Sequence, residues 1–271
     1  MPAEPLPPLA LAGPPPPPSP AAGHPVISVR GLTAGYGGQV ILDNVSFNVA
    51  RGEILVIVGG SGCGKSTLLK HMIGLHPLMA GRVVINGVDI GTALDADLAR
   101  LHQGIGVLFQ SGALFGSMTL VDNVALPLLD FTHLPKAQAL KLARVKLGMV
   151  GLAGYENHLP SEISGGMKKR AGLARAMALD PSVLFFDEPS AGLDPVTSAE
   201  LDQLILRINA GLGTSMVIVS HELASIFSIA HRVVMLDKAE KGVIAMGDPR
   251  ELLERSEDPR VRGFFLRQPP A

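Results

Sequence analysis

The chain is short of several things, and each shortage excludes something. Its 271 residues contain one cysteine, Cys63, no tryptophan and two tyrosines. A single cysteine rules out an intrachain disulfide and agrees with a reducing cytoplasm. Positive charge is not in excess: 23 Lys and Arg against 24 Asp and Glu give a formal net charge of -1. No bulk basic field therefore points to nucleic acid. No uninterrupted apolar run approaches the roughly 18 residues of a membrane-spanning helix. The strongest runs, Ile54 to Val58 and Val183 to Phe186, have the length of buried strands. The first residues carry Glu4 and no early Lys or Arg, so they do not read as a signal peptide. Work at a membrane would go through partners.

Proline, in contrast, is concentrated. Residues 1–25 hold 11 of the 22 prolines. Such a segment cannot build a helix or a sheet ladder, and we expect a disordered or polyproline tail there. Hydrophobic residues make up 47% of the chain, enough for one large domain or a domain with a subdomain. "VISVRGL" and "VSFNV" read as strands with alternating faces, and "RVVINGVDI" as a hairpin turning at Asn86-Gly87. "EILVIVGG", "IGVLFQ", "SVLFFDE" and "TSMVIVSH" are continuous apolar runs, as expected for strands buried on both faces. Helical stretches between them, such as Pro195 to Ala210, predict a mostly parallel α/β core. Residues 119–129, 136–148 and 165–179 read as helices with no strand among them, so about 111–180 is expected to be a helical insertion.

The chemistry starts at Gly59. Residues 59–66, Gly59, Gly60, Ser61, Gly62, Cys63, Gly64, Lys65 and Ser66, fit G-x-x-x-x-G-K-[ST], with a strand before and a helix after. The glycines let successive N–H groups turn inward, and the helix start adds unpaired donors and a positive dipole end. Lys65 should reach the β- and γ-phosphates, Ser66 should bind Mg²⁺, and Thr67 should touch the α-phosphate. A glycine turn without a ligand would need neither flank. Cys63 is expected as a small filler of a tight loop rather than a redox sensor. At the C-terminal end of an apolar strand stand Asp187, placed to hold the metal or its waters, and Glu188, placed to polarise an attacking water. A second glycine turn, "ISGGM", opens a helix that Ser164 can cap, leaving the backbone of Gly165 and Gly166 uncovered.

With these motifs the chain resembles the ATP-binding cassette (ABC) family of transport ATPases over about residues 26–250. The resemblance implies a P-loop NTPase core of α/β class with an antiparallel β subdomain and an inserted helical subdomain, followed by a C-terminal extension at 251–271. "ISGGM" is similar to the family signature, with Ile163 for Leu and Met167 for Gln. Tyr36 corresponds to the aromatic that stacks on adenine, and Gln110 to the glutamine that links core and helical insertion, taken here as a catalytic and Mg²⁺-binding residue. Asp194 in "AGLD" belongs to the loop after the catalytic glutamate, and His221 corresponds to the switch histidine. The resemblance further implies a head-to-tail dimer. In it, Ser164, Gly165, Gly166 and Asp194 of one copy would meet the ATP held by the other.

"LFQSGALFGSMTLVDNVALPL" at 108–128, the stretch around the signature, and "DPRVRGFF" together resemble the ATPases of Mla and other MCE-type phospholipid systems. That subgroup implies a membrane permease, an MCE-domain lipid-binding protein and a position on the cytoplasmic face of the inner membrane. The alternatives are an importer ATPase for amino acids or another small solute, and a soluble ABC protein acting on ribosomes or DNA. The single cassette, without long coiled coils, speaks against the latter. Lys168, Lys169 and Arg170 are expected on a solvated helix face, and Asp43 and Glu53 as solvated strand ends. His71 and His76, five residues apart, suit a shared face poorly, so a metal site is not expected there.

Overall fold

The computed structural model describes residues 24–268. The expected proline-rich tail, apart from His24 and Pro25, lies outside them. Two sheets organise the described chain. The smaller is antiparallel, in the order β2-β1-β4-β5. It comprises β1 (Ile27–Tyr36), β2 (Gln39–Val49), β4 (Ala80–Ile85) and β5 (Val88–Asp89). The expected hairpin joins the last two. Asn86 and Gly87 take φ of 51° and 81°, the double left-handed geometry of a tight two-residue turn.

The larger sheet has the order β10-β9-β3-β8-β7-β6. Strands β3 (Ile54–Gly59), β6 (Ile105–Leu108), β7 (Val183–Asp187) and β8 (Ser215–Val219) are the four apolar runs read from the sequence. All pairs among them are parallel. Two strands were not expected. β9 (Arg232–Asp237) runs parallel to β3, and β10 (Gly242–Gly247) runs antiparallel beside it.

Alternation along β3 explains how one sheet serves two cores. Ile54, Val56 and Val58 face one side, and Leu55 and Ile57 the other. On the second side lie the antiparallel sheet and α1 (Lys65–Met72), with Leu68, Leu69 and Met72 buried. The helix α2 (Asp95–Gln103) adds Leu101. On the first side pack α3 (Leu120–Phe131), α4 (Lys136–Met149), α5 (Gly165–Ala176), α6 (Pro195–Leu212) and α7 (Leu223–Ile229). The helical stretch thus shares a core with the sheet: Val124, Ala143 and Leu147 belong to the same cluster as Phe186. Two short helices, α8 (Pro249–Arg255) and α9 (Pro259–Leu266), finish the described chain.

Glu53 departs from its expected solvated position. It is 5% exposed, accepts from Ala50 N at 2.7 Å, and pairs with Arg232 Nε at 2.7 Å. This pair, with the carboxylate buried and the guanidinium half-buried, fixes the start of β3 against β9. Asp43 is exposed, as expected, and accepts from Thr33 Oγ1 at 2.9 Å.

Candidate functional site

A cleft of about 710 Å³ opens at the C-terminal ends of the parallel strands, where ligands of open α/β sheets bind. Gly59, Gly60, Ser61, Gly62, Gly64, Lys65, Ser66, Thr67, Gln110, Glu188 and His221 all line it, with Ile41 and Phe264 added from elsewhere. The loop from β3 to α1 needs its glycines. A Cβ on Gly59 would sit 2.3 Å from Leu236 O and 2.7 Å from Cys63 Sγ, and Gly64 has φ of 104°. Cys63 itself is 2% exposed and outside the cleft lining, and burial pushes its thiol up. It fills the loop from beneath.

The donors of the loop are arranged for an anion. Lys65 Nζ lies across the loop and donates to Gly59 O at 2.9 Å and Gly60 O at 3.0 Å. Gly64 caps α1 without any side-chain acceptor, so the first N–H groups of the helix are not claimed by a cap. Hard oxygen donors stand beside it. Ser66 Oγ donates to Asp187 Oδ1 at 2.9 Å, and Gln110 lines both the cleft and the adjoining cavity that Asp187 lines. A serine hydroxyl, a carboxylate and an amide oxygen are the donor chemistry of Mg²⁺.

Glu188 follows Asp187 at a sharp bend, with φ of 50°. Its N donates to Val219 O at 3.0 Å, and its Oε2 lies 2.8 Å from His221 Nδ1. The carboxylate side chain is 13% exposed and the imidazole 62% exposed, so the pair sits at the mouth of the cleft. Tyr36, at the end of β1, is outside the cleft lining and 39% exposed. Its ring stands edge-on to His76 at 4.9 Å and tilted over His71 at 5.7 Å.

The two histidines differ from expectation. Their rings are 5.5 Å apart because α1 ends at Met72 and the chain folds His76 back. His71 is fully buried and its Nδ1 lies 2.8 Å from Thr67 O. Among the described residues no group of three metal-ligating side chains occurs.

The second glycine turn lies outside the cleft. Ser164 caps α5, its Oγ accepting from Met167 N at 3.3 Å. A Cβ on Gly165 would meet open space, whereas one on Gly166 would lie 2.5 Å from Thr197 Cγ2. That glycine lets α5 approach α6. Met167 packs against the core, which accounts for an apolar residue at this position. Asp194 caps α6, accepting from Val196 N, Thr197 N and Thr197 Oγ1. These bonds hold its carboxyl below the usual range.

Sequence reasoning misplaced one cation of the signature helix. Lys168 and Arg170 sit nearer the surface, and Arg170 pairs with Glu200 at 2.5 Å. Lys169, however, is 6% exposed and donates from Nζ to Glu188 O at 3.3 Å. Helical spacing marks it only as one of three adjacent cations. Phe264 and Ile41 were also missed, since each reaches the cleft through tertiary packing.

A sequence profile described as ABC transporter matches residues 42–191. The probable ribonucleotide transport ATP-binding protein mkl of Mycobacterium tuberculosis H37Rv is 43% identical over 239 residues. That match covers 88% of this chain and 66% of that protein, so the chain spans just under two thirds of the mycobacterial relative. The intermembrane phospholipid transport system ATP-binding protein MlaF of Escherichia coli K12 is 41% identical over 240 residues, covering 89% of this chain and 88% of that protein. Among solved structures, the post-hydrolysis dimer of the ATP-binding cassette MJ0796 bound to ADP and Pi is 29% identical with a TM-score of 0.73, covering 82% of this chain and 98% of that one. A chain that shares this fold, and two fifths of its sequence, with cassettes of that kind belongs to the ABC transporter family.

Proposed function

We propose that the chain is the ATP-hydrolysing subunit of an ABC transporter that moves phospholipid in support of outer-membrane lipid asymmetry. The observation that carries the hydrolytic reading is the single cleft uniting Lys65, Ser66, Gln110, Glu188 and His221. Lys65 exchanges its two loop carbonyls for the β- and γ-phosphates. The backbone of residues 59–64, with Ser61 and Thr67, supplies N–H donors, while the Cys63 thiol stays beneath the loop. Tyr36 offers its ring to adenine, steadied by His76. Ser66, Asp187 and Gln110 would hold Mg²⁺, which would neutralise charge on the phosphates. Glu188 takes its place against the attacking water and polarises it, and His221 holds the glutamate's side chain.

Ser164, Gly165, Gly166 and Asp194 lie outside the cleft that contains Lys65, which supports a role at the nucleotide of a second copy. Two copies head to tail would bury two nucleotides, each gripped by Lys65 of one copy and by the helix N-terminus at Ser164 of the other. Hydrolysis and phosphate release weaken that grip and let the copies part. Because Asp194 spends its carboxylate on α6, its contribution would come through the position of its loop. We read 26–250 as the ATPase domain, with a helical part at about 111–180 and an extension at 251–271.

Cargo and partners follow from the relatives. MlaF is matched over nearly its whole length, which supports phospholipid, a membrane permease, an MCE-domain lipid carrier and residence on the cytoplasmic face of the inner membrane. No helix among the described residues is long and apolar enough to cross a membrane, so such residence would be peripheral. The second reading is small-solute transport. It is favoured by the name of the mycobacterial relative, which however extends well beyond this chain. Purification with the native membrane partners, followed by mass spectrometry of extracted lipid, decides between them. Co-purified phospholipid is expected; a solute-binding protein without lipid would reverse the choice.

A further inference from the structure

Lys169 is a cation with no place in the roles assigned above, yet it is buried against the centre of them. Removing an ammonium group from water is costly, and burial pushes this one below the usual lysine range, while the carboxylates of Glu188 and Asp187 act the other way. Its one hydrogen bond goes to Glu188 O at 3.3 Å. That carbonyl also accepts from Ala191 N at 3.2 Å, which closes the turn after the strand.

The residue that receives this bond is strained. At φ of 50° Glu188 occupies the left-handed region, which a side chain disfavours and which persists only where the surroundings over-determine it. Four anchors do so. Val219 O takes the N–H from the neighbouring strand β8, His221 takes the carboxylate, and Ala191 N and Lys169 Nζ both donate to the carbonyl. Only Lys169 among them comes from α5, the helix that opens at Ser164. The long lysine side chain carries its ammonium from α5 to that carbonyl, just beyond the end of β7.

We propose that Lys169 is a positioning residue for hydrolysis, fixing the backbone of Glu188 so that its carboxylate stays directed into the cleft. The inference rests on the catalytic reading of Glu188 given above. It predicts a loss in turnover rather than in nucleotide binding, because Lys169 is not in the cleft lining.

The test is steady-state ATP hydrolysis by the full chain carrying Lys169→Met, with Lys169→Arg as the conservative variant. Loss of a hydrogen bond to a charged donor should lower kcat about tenfold or more, leaving KM for ATP within about twofold. Lys169→Arg, which can still donate to the carbonyl, should recover to within about threefold of wild type. The melting temperature of Lys169→Met should stay close to that of wild type, since Ala191 N still donates to the carbonyl and an apolar chain of similar length replaces the lysine stem. A merely structural role would lower melting temperature and activity together. An unchanged kcat, or a fall in kcat that tracks a fall in melting temperature without rescue by arginine, would overturn the proposal. Should Lys169→Met fail to fold, Lys169→Leu, which likewise has no donor for the carbonyl, decides by the same measures. Wild-type protein that does not hydrolyse ATP would count against the proposed function; wild-type turnover matched by the variants would count against this inference alone.

Discussion

Replacing Glu188 by glutamine tests the hydrolytic site with the least disturbance. The two side chains have nearly the same shape, and the amide oxygen can still face His221 Nδ1, 2.8 Å away in the native protein. The imidazole is 62% exposed, so the charge in this pair contributes less than about 1 kcal/mol to stability. For a domain of this size that corresponds to a melting shift of about 4 °C at most. What the variant loses is the negative charge that, on the proposed function, would polarise water. General-base assistance is worth about 10²–10⁴ in rate, or about 3–5 kcal/mol of barrier. Phosphate release at saturating Mg·ATP should therefore fall by that factor, with nucleotide binding retained. Dimers held by unhydrolysed ATP should accumulate and be visible by size-exclusion chromatography. Turnover within about tenfold of wild type, in a variant that still binds ATP, would remove Glu188 from its role.

Two further perturbations probe other parts of the structure. Ser164→Arg, placed in one subunit of a mixed dimer, should damage the pocket built on the wild-type partner's Lys65; damage confined to the mutant's own cleft would refute the head-to-tail arrangement. Asp202, 5% exposed on α6, has its carboxyl pushed up to about 6 by burial and by Glu222, against a hydrogen bond from Ser225. The native chain therefore keeps a proton that the unfolded chain has released, and stability falls as pH rises from about 4 to 6. Asp202→Asn should raise the unfolding free energy at pH 8 by on the order of 1–3 kcal/mol, an advantage that shrinks as pH drops from 6 towards 4. Parallel denaturation curves for the two proteins across that range would contradict the burial argument.

What could be read from the sequence was local. The strand β3, the glycine loop and the start of α1 are contiguous, so their chemistry is visible in eight residues. Asp187 and Glu188 announce themselves by ending an apolar run, and Asn86-Gly87 by the geometry that only such a pair adopts readily. Most of the misreadings involve contacts between distant segments. Glu53 follows a charged turn, Arg51-Gly52, and nothing nearby reveals that Arg232, 179 residues later, will neutralise it in the interior. Lys169 shares its local pattern with two cations nearer the surface and is singled out only when β7 is laid beside α5. The approach of Thr197 that the missing side chain of Gly166 permits is likewise invisible in the local sequence. The strand β10 is neither buried on both faces nor cleanly alternating, so periodicity gave no handle on it.

Hydrolysis as proposed requires a nucleotide shared between two copies of the chain. A crystal or cryo-EM structure of the Glu188→Gln protein with Mg·ATP tests that most directly. The expected map shows each triphosphate between Lys65 of one protomer and Ser164 of its partner. A triphosphate enclosed by one protomer alone, with Ser164 of the other remote from it, would contradict the account.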